Sequence, residues 1–373
     1  MNRPIRVLHV VGSMTRGGVE TWLMNVLRNV SRDELAFDFM VHSPRAAAYD
    51  EELLALGASR FVCEWPANPL RYTRAFLRLL REHGPYDVVH SHVHHFSGFV
   101  LLLAKLAGVP VRIAHSHSDT TVAQNKATAP RRLYLTATEH LIKFTATSGI
   151  AASQKAATSL FGSRWQKDGR WNIIYCGIDP KPFEVPVDRA EVCRELGISE
   201  DAFVIGHVGR FDDAKNHNFL IEIFGQLKKK TPHAVLLLIG DGKLKDKIEE
   251  KVKTAGLQKD VIFAGLRNDV PRVMKGAINL FLMPSLYEGL PIAGIEAQAV
   301  GIPIVASDTI TSELFLNVDL HVQLSLSEPI SIWANTILDM HRKGRSLKDI
   351  TIKDSRFDVK YNVERLNYEY SKR

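Results

Sequence analysis

Val204-Ile205-Gly206-His207-Val208-Gly209-Arg210-Phe211-Asp212-Asp213-Ala214-Lys215-Asn216 starts as a β-branched apolar run, breaks at a glycine and turns polar before a helical pattern takes over at 220–229. A strand that hands a polar loop to the start of a helix is the repeating unit of an α/β protein. The unit recurs on both sides. Upstream, strand-length runs at 7–11, 87–90 and 111–114 are followed by helical patterns at 19–30, 96–107 and 131–142. Downstream, 235–239, 261–263, 280–283 and 304–306 alternate with helical patterns at 244–254 and 291–300. Strands that are apolar along their whole length are covered on both faces, which requires parallel sheets flanked by helices. Two such series predict two doubly wound, Rossmann-like α/β domains.

At 373 residues the chain is too long for one ordinary core and suits two. The periodic pattern lapses where Gly177, Pro180, Pro182 and Pro186 cluster, and a helical pattern resumes at 188–196. The expected domains are therefore 1–180 and 181–356. The amphipathic segment at about 357–373, isolated beyond a polar stretch, is expected to pack back onto the first domain. Ligands of open α/β sheets bind beyond the carboxyl ends of the strands, so the polar residues after each strand are the ones to inspect. A cleft with the two domains facing each other is the expected place for a site.

Composition narrows the function classes. Apolar residues at 45% and charged residues at 24% fit a globular chain and exclude a disordered or fibrous one. The start, 1–6, lacks the apolar core of a secretory signal, and the apolar stretch at 96–104 is cut by Lys105, well short of the roughly 20 residues of a membrane span. Cys63, Cys176 and Cys193 are odd in number and far apart, which argues against a disulfide framework or a metal knuckle. A cytoplasmic location is expected. The net charge of +7 sits entirely in the first half: 1–180 holds 21 Lys+Arg against 14 Asp+Glu, and 181–373 holds 27 against 27. Arg71, Arg74, Arg78 and Arg81 recur at helical spacing among Phe76, Leu77, Leu79 and Leu80, a basic amphipathic helix that is either a solvated face or a peripheral contact with an anionic membrane. With no recognition motif or aromatic-interleaved basic strip, nucleic acid is not an expected partner.

Four loops carry the chemistry. After the first strand, Gly17-Gly18 opens a helix; the pair is either a tight turn or a loop that lets backbone N–H groups approach an anion, and its spacing is not that of the dinucleotide fingerprint. His90, His92, His94 and His95 follow one strand and His115 and His117 the next, placing two histidine groups at neighbouring strand ends. Alternate histidines share a face, but no carboxylate or cysteine joins them at ligand spacing, so hydrogen bonding to a polar substrate is preferred to a metal. Arg210 and Lys215 can converge on a diphosphate, one as a planar fork and the other as a point charge. Finally, Pro284-Ser285-Leu286-Tyr287-Glu288-Gly289-Leu290-Pro291-Ile292-Ala293-Gly294-Ile295-Glu296 ends a strand, turns and starts a helix whose free N–H groups suit phosphate, while Glu296 suits a ribose hydroxyl.

Glu288 and Glu296, framed as Glu-Gly-Leu-Pro and Ile-Glu-Ala with seven residues between them, resemble the signature of the retaining family 4 glycosyltransferases, which have the GT-B fold. Gly17-Gly18-Val19-Glu20, His115-Ser116-His117, Tyr175-Cys176-Gly177-Ile178-Asp179, Gly240-Asp241-Gly242 and Phe263-Ala264-Gly265 fall in family order, and the likeness is to enzymes of exopolysaccharide and capsule clusters. The resemblance implies that Arg210 and Lys215 hold the diphosphate of a nucleotide sugar, with N–H groups of Gly289, Leu290 and Ile292 completing the hole. It implies Glu296 on the ribose, Glu288 on the transferred sugar, Leu266 near the base, Gly17 and Gly18 at the phosphates, and His117 near the reacting centre, with His115 as the alternative and His92 as a further acceptor or sugar contact. The implied catalytic set is His117, Arg210, Lys215 and Glu288. The implied chemistry is front-face transfer of a hexose or N-acetylhexosamine with retention, from a UDP-sugar to a saccharide or lipid-linked acceptor, with no cofactor and no metal. Two departures affect base and ribose contacts: Cys176 replaces the usual Asn, and Asp308-Thr309-Ile310-Thr311 replaces a usual glycine pair. The rival readings are a sugar-nucleotide epimerase of the same architecture and a non-catalytic nucleotide-sugar binding protein.

Overall fold

The computed structural model describes residues 3–64, 68–121, 124, 126–344 and 352–372. The chain divides into two compact units, Met1–Gly177 with Arg356–Arg373 and Ile178–Ser355.

The first unit is built on seven parallel strands: β1 Ile5–Val11, β2 Leu35–Val41, β3 Ser59–Val62, β4 Val88–Ser91, β5 Val111–Ser116, β6 Ser148–Ala151 and β7 Trp171–Ile173. Their order is β3-β2-β1-β4-β5-β6-β7, so the chain winds outward from β1 in both directions and reverses between β1 and β4. Such a switch point opens a crevice at the carboxyl ends of the two strands, where the Gly17-Gly18 loop leaves β1 and the segment 92–95 leaves β4. Leu8, Val10, Phe76, Val89, Leu101 and Ile142 fill the core between sheet and helices.

The C-terminal helix Val359–Tyr370 belongs to this unit. Trp22 Nε1 donates to Asn362 Oδ1 at 2.6 Å, and the Gly177 N–H donates to the same oxygen at 2.7 Å. A side chain at position 177 would put its Cβ 2.9 Å from both Asn362 Oδ1 and the Phe357 carbonyl, so the close approach requires glycine. Further along the helix, buried Glu369 accepts from Ser148 Oγ at 2.5 Å, and Tyr370 Oη meets His90 Nδ1 at 2.8 Å.

The second unit has six parallel strands: β8 Phe203–Val208, β9 Ala234–Ile239, β10 Val261–Gly265, β11 Leu280–Met283, β12 Ile304–Ser307 and β13 His321–Leu324, in the order β10-β9-β8-β11-β12-β13. The switch point here lies between β8 and β11, the two strands that deliver the Arg210–Lys215 and Glu288 loops. Ile205, Phe224, Leu236, Leu282 and Trp333 lie in its core.

Several elements escaped the alternation read from the sequence, among them β2, β3, β6 and β13 and the helices Gln154–Phe161 and Ile330–Lys343. The outer strands β3, β6, β7 and β13 are only three or four residues long, too short to register as a periodic signal. Among the described residues no helix is long and apolar enough to cross a membrane.

Candidate active site

In the second unit the site is made by lacing two loops together. Past β8, Asp213–Lys215 forms a single 3-10 turn that Asn216 closes in a left-handed conformation at φ 53°. Asparagine tolerates that conformation better than most residues, and its side-chain amide donates to the Pro284 carbonyl at 3.1 Å. The Leu286 N–H donates to the Ala214 carbonyl at 2.8 Å. These two bonds set Lys215 against Glu288, with Nζ 2.5 Å from Oε1. Ser285 Oγ donates to the same carboxylate oxygen at 2.9 Å. A third loop, the one that departs from the family pattern, braces this pair from behind: Ser307 Oγ and Thr309 Oγ1 donate to the Ser285 carbonyl at 2.6 and 2.8 Å.

The cationic side is less restrained. Arg210 is 64% exposed, and its Nε donates to Asp212 Oδ2 at 3.0 Å. It borders an open pocket of about 370 Å³ whose other walls include Asp213, Lys243 and Tyr287. The backbone beneath is fixed by Gly240, at φ +139°, where an added Cβ would stand 2.1 Å from the Gly209 carbonyl oxygen. Only glycine lets the 240–242 loop lie that close, and the Phe211 N–H uses the closeness to donate to the Asp241 carbonyl at 2.9 Å.

The helix Ile292–Ala299 begins at Pro291, whose side chain makes no cap hydrogen bond. Its N–H groups therefore point out of the helix end, beside Gly289 and Leu290, carrying the positive pole of the helix dipole. Glu296 stands on this helix, partly buried and with no hydrogen-bond or ion-pair partner among the described residues. Burial pushes its carboxyl up from 4.5 to about 7. A polar group held in that condition is poised for a donor that the protein does not itself supply.

Leu266, past β10, is 55% exposed. Its neighbour Arg267 is taken up by Asp269 at 2.7 Å and Glu195 at 2.6 Å, so of the two it is Leu266 that offers free surface.

In the first unit, Gly17 precedes the helix Gly18–Asn29 in extended conformation and makes no side-chain cap. A side chain at Gly17 would meet the Glu20 carboxylate at 2.3 Å, while Gly18 has open space around it.

The histidines are sorted by the fold in a way the sequence did not show. His90 and His115 lie within β4 and β5 rather than beyond them, and both are fully buried. The expectation that His115 touches a sugar is corrected by that burial: it shares a hydrogen bond with His90 at 3.0 Å and stacks on His117 with ring centroids 3.8 Å apart. His92 and His117 sit just past the strand ends, keep some exposure and share a hydrogen bond at 2.9 Å.

His94 and His95 face elsewhere. His94 Nε2 lies 3.4 Å from Thr120 Oγ1, and His95 bonds Gln124 and Thr138 at 3.2 Å, so both tie loops rather than join the group. Burial holds His117 down to about 3 and pushes His90, His92 and His115 well below the usual histidine range. The group is a set of neutral imidazoles, each with one donor and one acceptor, suited to hydroxyl groups rather than to an anion.

The chain also matches known proteins. Residues 16–181 match the family model described as Glycosyltransferase Family 4, and residues 188–329 match that described as Glycosyl transferases group 1. Over 374 residues, covering 98% of this chain and 96% of the other, the sequence is 38% identical to the glycosyltransferase EpsF of Bacillus subtilis (strain 168).

The chain belongs to glycosyltransferase family 4.

This family 4 enzyme is also 27% identical over 381 residues, 98% of both chains, to the capsular polysaccharide biosynthesis glycosyltransferase CapH of Staphylococcus aureus. Among solved structures, Anabaena HepE in complex with UDP and glucose superposes with a TM-score of 0.78 at 20% identity, over 99% of this chain and 100% of that one. The fold is GT-B. Sequence reasoning on this glycosyltransferase missed Ser285, Ser307 and Thr309 behind Glu288, and His9, Trp22, Asn362 and Tyr370 around the histidines. Ser285 lay inside a quoted motif and was legible as a neighbour of Glu288. Nothing local marks Asn362, whose partner Trp22 is 340 residues away.

Proposed function

We propose that the enzyme moves a hexose or N-acetylhexosamine from a UDP-sugar to a saccharide or lipid-linked acceptor during exopolysaccharide or capsule synthesis, with retention of anomeric configuration. The observation that carries this reading is the Lys215–Glu288 pair, set beside an exposed Arg210 and an uncapped helix start. In this reading Arg210, Lys215 and the N–H groups of Gly289, Leu290 and Ile292 neutralise the charge that grows on the diphosphate as the glycosidic bond breaks, so no metal is needed there. Lys215 exchanges Glu288 for phosphate, which frees the Glu288 carboxylate to accept from hydroxyls of the transferred sugar. Glu296 accepts from the ribose, and exposed Leu266 covers the base. Gly17 and Gly18 give the first unit its anion-facing backbone, and His117, backed by His92, gives it a neutral partner for the sugar.

The uridine assignment is supported by HepE, whose structure holds UDP and glucose, and the acceptor class by CapH, whose name places it in capsular polysaccharide biosynthesis. A peripheral position at the inner face of the plasma membrane suits the helix Pro69–His83, where Arg71, Arg74 and Arg81 are exposed and have no ion-pair partner among the described residues.

The test is a thermal melt against UDP and a panel of UDP-hexoses and UDP-N-acetylhexosamines, followed by transfer assays with the sugar that stabilises most. Proton NMR of the product reports whether the α-configuration of the donor is kept. An inverted product contradicts the mechanism; the absence of any nucleotide-dependent shift contradicts the donor site. Chelator is expected to leave the transfer rate intact.

A further inference from the structure

One nitrogen each from His92, His115 and His117 lies within 4.8 Å of the other two. His92 Nδ1 and His117 Nε2 are already 2.9 Å apart. Two imidazole nitrogens on one zinc ion, at about 2.0–2.1 Å each in a tetrahedral arrangement, are separated by about 3.3 Å. The three nitrogens, all within 4.8 Å of one another, can close to that spacing on a single ion with ring shifts of about 1.5 Å at most.

Two further observations point to a ligand. His115 is fully buried, and its Nε2 has no hydrogen-bond partner among the described residues. A buried imidazole nitrogen left unmatched is costly, and the cost is removed if the nitrogen binds something. In addition, the outer nitrogen of each of the three rings is held from behind. His92 Nε2 meets His9 Nδ1 at 3.0 Å, His115 Nδ1 meets His90 Nε2 at 3.0 Å, and His117 Nδ1 meets Cys176 Sγ at 3.8 Å. Metal-binding histidines are oriented in this manner, with the second ring nitrogen fixed by a neighbour while the first faces the ion. The neighbouring trio of His9, His90 and His92 does not share this arrangement, because both nitrogens of His90 are taken, by Tyr370 and by His115.

We propose that His92, His115 and His117 form a binding site for one divalent transition ion of borderline softness, with Zn²⁺ as its probe. Three neutral imidazoles without a carboxylate select zinc, cobalt, nickel or copper over magnesium or calcium, which require oxygen ligands. The site leaves a fourth coordination position for water or an anion. It is separate from the Arg210–Lys215 machinery, and its effect on transfer is opposite to that of a cofactor: an ion on His117 Nε2 withdraws that ring from the sugar, so zinc inhibits. The sequence alone argued against a metal because no cysteine or carboxylate sat at ligand spacing. The fold brings His92 onto His115 and His117 from another strand and Cys176 in behind His117.

The test is a Co²⁺ and Zn²⁺ titration of the full chain after treatment with EDTA and dialysis. We expect one ion per chain, visible cobalt absorption characteristic of a four-coordinate ion, and an X-ray absorption signature of three imidazoles. His115→Gln and His92→Gln are expected to weaken binding by roughly tenfold or more, and His94→Gln, a histidine outside the trio, to leave it unchanged. Circular dichroism confirms that each variant is folded; if His115→Gln is not, the imidazole count on the wild-type protein decides. No binding at about 100 μM ion, where even a weak site would load, fewer than three imidazoles per ion, or equal loss in His94→Gln overturns the proposal. The UDP-induced melt of the same preparations reports the donor site independently, so failure of one reading is distinguishable from failure of the other.

Discussion

Lys215 Nζ and Glu288 Oε1 face each other at 2.5 Å although 73 residues separate them, and both side chains are largely withdrawn from solvent, at 18% and 12% exposure. The pair ties the 210–215 and 284–288 loops together and occupies two groups that the proposed function assigns to the substrate.

Lys215→Ala is therefore expected to act twice. It removes the cation proposed to face the diphosphate, lowering the transfer rate by about 10²–10³-fold, and it leaves Glu288 with Ser285 as its remaining partner among the described residues, lowering stability by about 1–3 kcal/mol. A double-mutant cycle with Glu288→Gln separates the effects: stability should recover in the double variant while activity does not. Additive stability losses would show that the pair is not coupled.

Glu296 yields a pH prediction. Its carboxyl is raised to about 7 in the folded chain from an ordinary 4.5, so the unfolded chain releases the proton first. The folded state then loses stability as pH rises from the lower value to the upper, and the loss is complete above about 7. Glu296→Gln should raise the melting temperature at pH 8 and change it little at pH 4, with a gain of about 3 kcal/mol at most. The same variant should weaken UDP, and the rise in wild-type UDP affinity across neutral pH that comes from ionising this carboxylate should be absent from it. A variant that melts like the wild type at high pH would remove the argument from burial.

Asn362 accepts from both Trp22 Nε1 and the Gly177 N–H inside the first unit. Asn362→Leu strands two buried donors, and the expected loss is about 2–6 kcal/mol, since each unmatched donor costs about 1–3 kcal/mol. Urea denaturation followed by Trp fluorescence measures it, Trp22 being fully buried. UDP binding by the second unit should persist below the transition.

Gly240→Ala introduces a methyl group 2.1 Å from the Gly209 carbonyl, in a backbone conformation unfavourable to any L side chain. The 209–211 backbone must shift to accommodate it. UDP affinity is expected to fall by at least tenfold, with circular dichroism unchanged; retained affinity would show that Arg210 does not depend on this loop for its position.

Reversing Arg74 and Arg81 to Glu on the helix Pro69–His83 should reduce co-sedimentation with vesicles containing phosphatidylglycerol, each basic residue near such a surface contributing about 1 kcal/mol. The side chains that anchor this helix to its unit, Tyr72, Phe76, Leu79 and Leu80, are untouched, so the fold should be unaffected. Unchanged sedimentation would leave the basic face as solvated surface.

What the sequence determined by itself was local in origin. Runs such as 203–208 and 280–283 are apolar and strand-length, and they coincide with β8 and β11; the segment 359–370 has helical periodicity and is a helix. Burial on both faces of a strand leaves its mark in the strand's own residues, which is why the parallel α/β class and the loops at its carboxyl ends were legible. The short outer strands carried too few residues to leave such a mark. The tertiary structure decided which loop meets which. Strand order places β8 beside β11 and β4 beside β5, and only that order brings Lys215 to Glu288 and His92 to His115 and His117. It also buries His90 and His115 while turning His94 and His95 away, a distinction that six histidines at strand ends could not reveal. Partners such as Trp22 and Asn362 meet across 340 residues because a terminal helix docks on the first sheet's layer of helices, and nothing within one turn of either residue encodes that meeting.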